Sequence, residues 1–225
     1  MKLLAIDTST EACSAAVGIA DQVITRYELA PRKHAELILP MIDSLLNEAG
    51  LTFSQLDAVA FGRGPGSFTG LRIAAGVIQG IAFGADLPVV TVSSLATLAQ
   101  GANRELGVDK IVAGFDARMQ EVYWAMFRVD DHGLVRLIGD EVVCKPEDVP
   151  LPENSGWTGI GSAWQVYDRT LQEHLGGKLS GWHDDYYPQA RDMVRLGMDG
   201  FQQGKAVSAE HAMPVYLRNN VVSAG

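Results

Sequence analysis

At 225 residues, with 47% hydrophobic and 20% charged side chains, the chain can bury a sizeable core and has ordinary globular composition, which excludes a disordered protein. Its 18 basic against 27 acidic residues give a formal net charge of -9, opposing unassisted binding to polyanionic nucleic acid or an anionic membrane surface. Cys13 and Cys144, the two cysteines, are too few for a disulfide scaffold or a four-cysteine zinc site.

The N-terminus MKLLAIDTST turns polar after six residues, so no signal peptide is expected. No charge-free run reaches the ~18 to 20 residues of a membrane helix, and the expected location is cytoplasmic. KLLAID, EACSAAVGIA and DQVITRYELA read as three strands separated by turn signals. RKHAELILPMIDSLLNEAG then suits a helix closed by Gly50, with Pro40 as a site for a kink. LDAVAFG is a buried strand, a glycine loop follows it, and a long helix covers about 69–84 with Ser67 or Thr69 as its cap. A strand LPVVTV leads to a helix SSLATLAQGANREL capped by Ser93 or Ser94.

Near Gly107 the pattern restarts. DKIVAGFD is another apolar strand ending in an aspartate, and EVYWAMFRVD pairs with it across ARMQ. A Pro-rich loop KPEDVPLPENSGW, a strand-turn-helix TGIGSAWQVYDRTLQEHL and a helix ARDMVRLGMDGFQQG complete the chain. With no low-complexity linker, two packed lobes are expected: 1–105, and a smaller 106–225 whose last segment returns to the first.

The stretch FGRGPGSFTGLRIAAGVIQGIAFG concentrates seven of the 24 glycines into Phe61 to Gly84. It lies after a strand and before a helix N-terminus, where phosphate cradles lie. Its spelling fits none of the known cradles: Leu71 and Arg72 follow Gly70 where a P-loop needs Lys and Ser or Thr, and Gly64, Gly66 and Gly70 miss the dinucleotide spacing by one residue. A tight turn with a capping hydroxyl and an anion site both remain open.

On a helical wheel Gly76, Gly80 and Gly84 form one ridge with Ile73 and Phe83 beside it, while Leu71, Ala74, Val77, Ile78 and Ile81 fill the other side. A helix apolar nearly all round is expected to be buried all round. Leu37, Ile38, Leu39, Met41, Ile42, Leu45 and Leu46 similarly cover about 200° of the preceding helix, against roughly 100° for one buried stripe. Either the two helices bury each other in the chain's own core, or their spare arcs meet a partner.

LLAIDTST, HAELILPMIDSLL, the glycine stretch, DARMQEVYWAMF and PVYLRNNV together resemble the TsaB family, formerly YeaZ, within the superfamily of actin, heat-shock chaperones and sugar kinases. The resemblance implies an α/β fold of two duplicated actin-like, RNase H-like lobes, each a mixed sheet with flanking helices. It further implies a non-catalytic subunit that pairs with TsaD, and with the ATPase TsaE, in transfer of threonylcarbamoyl from its adenylate to N6 of adenosine 37 in tRNAs reading codons that begin with A. Isolated chains are expected to form a homodimer through the same surface, and tRNA contact is left to other subunits.

On this reading the partner surface takes His34, Leu37, Ile38, Met41 and Leu45 from the first helix. From the second it takes Arg72, Ile73, Gly76, Gly80, Phe83 and Gly84. The family's catalytic member carries a metal-binding His-x-x-x-His on the helix matching HAELI; here Ile38 follows His34, so neither a metal nor a catalytic residue is expected. Asp7, Thr8, Ser9 and Thr10 match the superfamily's first phosphate loop without its glycine, and GIGSAWQ lacks a second glycine pair. No cofactor is expected beyond weak nucleotide binding at or near the partner interface. The competing readings are an ATP-dependent kinase of the sugar-kinase superfamily, with Asp7 organising magnesium and Asp116 as base, a peptidase, and a scaffold for another partner.

Overall fold

The apolar run Lys2–Asp7 forms strand β1, and the small-residue run Ala12–Ile19 (β2) turns back against it with Leu4 opposite Val17. This is a computed structural model, and it describes residues 1–218. Residues 219–225, part of the expected second lobe and of PVYLRNNV, lie outside the described residues.

β3 (Gln22–Leu29) extends the antiparallel meander. Helix α1 (His34–Ala49) continues through Pro40 and is closed by Gly50, whose φ of 63° favours a residue without Cβ. β4 (Ala58–Gly64) lies parallel to β1, α2 (Phe68–Ala85) follows with Ser67 as its cap, and β5 (Val89–Ser93) is parallel to β4. The sheet order is β3-β2-β1-β4-β5.

After α3 (Ser94–Leu106), capped by Ser93, the same plan is repeated. β6 (Lys110–Asp116), β7 (Val122–Val129) and β8 (Val135–Cys144) form an antiparallel meander. β9 (Trp157–Ile160) lies parallel to β6, and β10 (Leu179–His183) to β9, in the order β10-β9-β6-β7-β8. α4 (Ala163–Leu175) stands where α2 stands in the first half, and α5 (Ala190–Gln202) where α3 does. The position of α1 is taken in the second half by the Pro-rich loop, with a 3-10 turn at Pro146–Asp148. The architecture is thus two duplicated lobes, each a mixed five-stranded sheet flanked by helices.

Each sheet is covered on both faces. Ile38, Ile42 and Leu45 of α1, with Ala74 and Ile78 of α2, pack on Leu4, Ile6, Val17 and Phe61. Burying each of these large aliphatic side chains contributes about 1.5–3 kcal/mol, which holds α1 to the sheet. The opposite face, Leu3, Ala5, Ala16 and Ala60, receives Met193 and Val194 of α5. In the second lobe Trp164 and Leu171 of α4 cover Val112 and Trp124, while Leu95, Leu98 and Ala99 of α3 cover Ile111, Ala113 and Phe127.

The helix that ends each half therefore covers the other half's sheet. α3 packs on the second sheet and α5 on the first, and the two helices touch. Arg104 of α3 grips Asp192 of α5 through bonds of 2.6 and 2.9 Å. A second fork, Arg136 of β8 on Asp199 of α5 at 2.6 and 3.3 Å, ties the second sheet to the helix lying on the first.

Candidate partner-binding surface

The seven glycines between Phe61 and Gly84 serve two purposes. Gly62, Gly66 and Gly70 are pressed onto the end of β1 and the turn that follows it, while Gly64 lies against Val215 O and Leu71. A Cβ on Gly66 would lie 2.4 Å from the Ser9 carbonyl oxygen, and one on Gly62 2.1 Å from Asp7 Oδ2, distances that no side chain tolerates. Ser67 N donates to Ser9 O at 2.7 Å, and Thr8 Oγ1 donates to Gly70 O at 2.7 Å. The loop after β4 is thereby seated on the Asp7–Thr10 turn.

The seating buries most of the groups expected to meet phosphate and bonds all of their side-chain oxygens except Asp7 Oδ2. Asp7, Thr8 and Ser9 are buried. Asp7 Oδ1 accepts from Ser9 N at 2.9 Å and Ser9 Oγ at 2.7 Å, and Thr10 Oγ1 accepts from Ala12 N at 3.4 Å. Asp7 Oδ2 and Ser94 Oγ are buried without a partner, both beside Gly62. Burial pushes the Asp7 carboxyl up to about 6 against the pull of its two bonds from Ser9. At the equivalent end of β6, Asp116 is held by Tyr167 OH at 3.2 Å, by Arg118 N at 2.9 Å and by the Arg118 guanidinium at 3.0 Å.

The helix glycines stand in open space. Beyond the neighbouring helix backbone, no heavy atom of the described residues lies within 4 Å of a Cβ placed on Gly76, Gly80 or Gly84. The expectation that α2 is buried all round is corrected: Leu71, Ala74, Ala75, Ile78 and Ala82 are buried, and the opposite side is solvent-facing. Phe83 on that side is 86% exposed and Phe68 53%. Arg72 Cζ lies 4.1 Å over the Phe68 ring, a cation–π contact that covers part of it. Gly80 and Gly84 line a shallow groove whose other wall is the 3-10 turn Phe53–Gln55.

The residues expected on α1 divide. Leu37 and Met41 are half-buried at the edge of the core. Ile38 and Leu45 are 0% exposed, within the chain's own core, and offer no surface to a partner. His34 is buried too, its Nε2 3.2 Å from Ala12 O. The reason is the wheel: i, i+4 and i+7 or i+8 on α1 form the stripe that the sheet requires. Of the residues expected on α2, Arg72, Gly76, Gly80, Phe83 and Gly84 are exposed and Ile73 is half-buried.

Sequence reasoning missed the residues that the chain end adds. Met213 and Tyr216 are exposed beside α2, with the Tyr216 ring 5.4 Å from that of Phe68. The return of the last segment to the first lobe was expected, but the spelling MPVYL does not say which of its residues meet α2.

Among the described residues no group of three or more His, Cys, Asp or Glu side chains is placed to hold a metal ion. Ser208 Oγ lies 2.8 Å from His211 Nδ1, and Glu210 Oε1 lies 3.6 Å from the same nitrogen. A hydrolase triad needs hydroxyl and carboxylate on opposite ring nitrogens, so this exposed cluster is not one. By length and composition Phe68–Ala85 could cross a membrane, the one such helix among the described residues. Arg72 interrupts it, and its inner side is packed on the sheet.

The family model of TsaD, tRNA N6-adenosine threonylcarbamoyltransferase, matches residues 19–225. The chain is 45% identical over 224 residues to tRNA threonylcarbamoyladenosine biosynthesis protein TsaB of Escherichia coli (strain K12), covering 98% of this chain and 96% of that one. Against the Haemophilus influenzae protein of the same name the identity is 42% over 229 residues, covering 98% and 95%. The solved structure of YeaZ from Pseudomonas aeruginosa superposes with a TM-score of 0.90 at 46% identity, covering 96% of this chain and 99% of that one. Another structure, of an uncharacterized protein with similarity to peptidase YeaZ from Pseudomonas aeruginosa, gives a TM-score of 0.90 at 45% identity, with the same coverage.

Proposed function

Because the chain belongs to the TsaB (YeaZ) family of tRNA threonylcarbamoyladenosine biosynthesis proteins, we propose that it is the non-catalytic subunit that binds TsaD, and with it the ATPase TsaE, through the outer face of α2. The reaction served is transfer of threonylcarbamoyl from threonylcarbamoyl-AMP to N6 of adenosine 37 in tRNAs reading codons that begin with A. The observation that carries this reading is the exposed stripe of Gly76, Gly80 and Gly84 with Phe83 beside it. Three glycines inside a helix cost roughly 1 kcal/mol each relative to alanine, and nothing among the described residues approaches them to offset that. A partner helix laid along the stripe at close axial distance does so.

The match of a TsaD family model to residues 19–225 supports a partner built on the same fold, presenting an equivalent helix. In the absence of that partner a second copy of this chain takes its place, giving a homodimer. The buried and internally bonded Asp7 supports a scaffold over a kinase, because magnesium and phosphate have no access to it. Nucleotide in this reading is a ligand of the assembled interface and not of the isolated chain. The site of action is cytoplasmic, and the charge of -9 leaves tRNA to the partners.

Co-purification with TsaD and TsaE, followed by a tRNA modification assay with and without this chain, tests the proposal. TsaD should retain the chain, and modification should require it. Retention failing at micromolar concentrations, or transfer by this chain alone, overturns the reading.

A further inference from the structure

The chain does not end at α5. Beyond Gln202 it doubles back along the first lobe, where Val207 and Val89 of the outer strand β5 exchange backbone bonds of 2.8 and 2.9 Å. Gln79 Nε2 of α2 donates to Ala212 O at 3.1 Å, and Val215 N donates to Arg63 O at 2.8 Å. Tyr216 meets Phe68 at the start of α2. Two residues later Arg218 arrives at the second lobe. One guanidinium nitrogen donates to Ala117 O at 3.1 Å and to Arg118 O at 3.5 Å and pairs with the Glu121 carboxylate; the other lies 3.5 Å from Met119 Sδ.

All of these Arg218 partners belong to the turn between β6 and β7. In that turn Arg118, Met119 and Gln120 have φ of 61°, 55° and 62° in succession. Residues with a Cβ visit the left-handed region singly, and a run of three is sparsely populated unless its surroundings hold it. The hairpin supplies bonds at its ends, Ala117 N to Glu121 O at 2.9 Å and Glu121 N to Arg118 O at 3.1 Å. Arg218 adds one guanidinium nitrogen that reaches two carbonyls and a carboxylate together, a charge-assisted cluster at the turn.

We propose that residues 206–218 form a latch across the two lobes, with Arg218 as its catch on the left-handed turn and Tyr216 as its hold on α2. Release of Tyr216 from Phe68 then loosens the turn, and Asp116 loses the hold of the Arg118 backbone N–H, one of its three partners. The contacts that make the latch all lie within the single chain, so its test needs no partner.

Hydrogen exchange on the whole chain tests it. Arg218→Ala should speed exchange of the Ala117, Arg118 and Glu121 amides at least tenfold while protection in β1 and β2 stays unchanged. Arg218→Lys, whose single ammonium nitrogen keeps the charge and three donors, should retain part of the protection that Arg218→Ala loses, and Tyr216→Ala should speed the same three amides from the other end of the latch. Adding Gln120→Gly to Arg218→Ala should restore protection, because glycine adopts the left-handed backbone without penalty. Unchanged turn exchange in both Arg218→Ala and Tyr216→Ala overturns the proposal. So does acceleration spread evenly over both sheets, which reports general destabilisation.

Discussion

Gly70 and Gly76 lie on the same helix six residues apart and meet opposite surroundings: a Cβ on Gly70 would lie 1.9 Å from the Thr8 carbonyl oxygen, and a Cβ on Gly76 would have, beyond the neighbouring helix backbone, no heavy atom of the described residues within 4 Å. Alanine should therefore act in opposite directions at the two sites. Gly70→Ala forces the α2 N-terminus off the β1–β2 turn, breaks the bond from Thr8 Oγ1, and should cost about 3 kcal/mol or more. Gly76→Ala removes only backbone freedom in the unfolded chain and should stabilise by ~0.5–1 kcal/mol. Urea melts of the two variants beside the parent give both signs, and equal effects would contradict the division of the glycines.

Asp7 provides a pH signature. Its carboxyl is raised from the ordinary 3.8 to about 6 by burial, so between those values the folded chain binds more protons than the unfolded one. Stability must then fall as pH rises through that window, and the full penalty is present above pH 6. Asp7→Asn keeps an acceptor for Ser9 and removes the charge. The variant should be more stable than the parent at pH 7.5, by ~3 kcal/mol as an upper bound at 1.36 kcal/mol per pKa unit. The difference should shrink towards zero near pH 4. A difference that stays constant from pH 4 to 7.5 would show that burial does not disfavour the charged form.

Most of the architecture was legible because the first lobe's elements announce themselves by pattern: β1 as an apolar run, α1 by its stripe and Gly50, α2 by its cap and length. β8 and β10 were not foreseen. In VRLIGDEVVC the alternation is broken at Gly139, whose φ is 72°, and the register with β7 shifts there. LSGWH is an outer strand of five residues with mostly exposed side chains, and therefore carries no hydrophobic period. For the candidate surface, the wheel correctly separated Gly76, Gly80 and Gly84 from Leu71, Ala74 and Ile78, but periodicity alone could not tell a face turned to solvent from one turned to core. It also could not show that Ile38 and Leu45 are consumed by the sheet, or that Tyr216 returns to Phe68 from 148 positions along the chain.

His34 is read as structural. Its Nε2 bond to Ala12 O anchors the first turn of α1 to the start of β2, and Ile38, one turn on, offers no metal ligand. His34→Ala should lower stability by about 1–2 kcal/mol through the lost bond and side-chain packing. Elemental analysis of tag-free protein should find no stoichiometric zinc or iron in parent or variant. One metal per chain in the parent, lost in the variant, would reverse this assignment.

The stripe itself is tested by Gly76→Leu and Gly80→Leu. In the isolated chain both side chains enter open space, so each variant should melt at or above the parent temperature, since leucine is also the better helix former. Against a partner helix the same leucines hold the axes apart, and overpacking of about 1–3 kcal/mol translates into association weakened roughly tenfold or more at 1.4 kcal/mol per decade. The two measurements separate the alternatives left open by the sequence. A variant that melts normally but no longer binds TsaD places the stripe at the interface. One that melts normally and binds as the parent does removes the stripe from it. One that unfolds means that Gly76 and Gly80 face the chain's own core, contrary to the open surroundings of their Cα atoms.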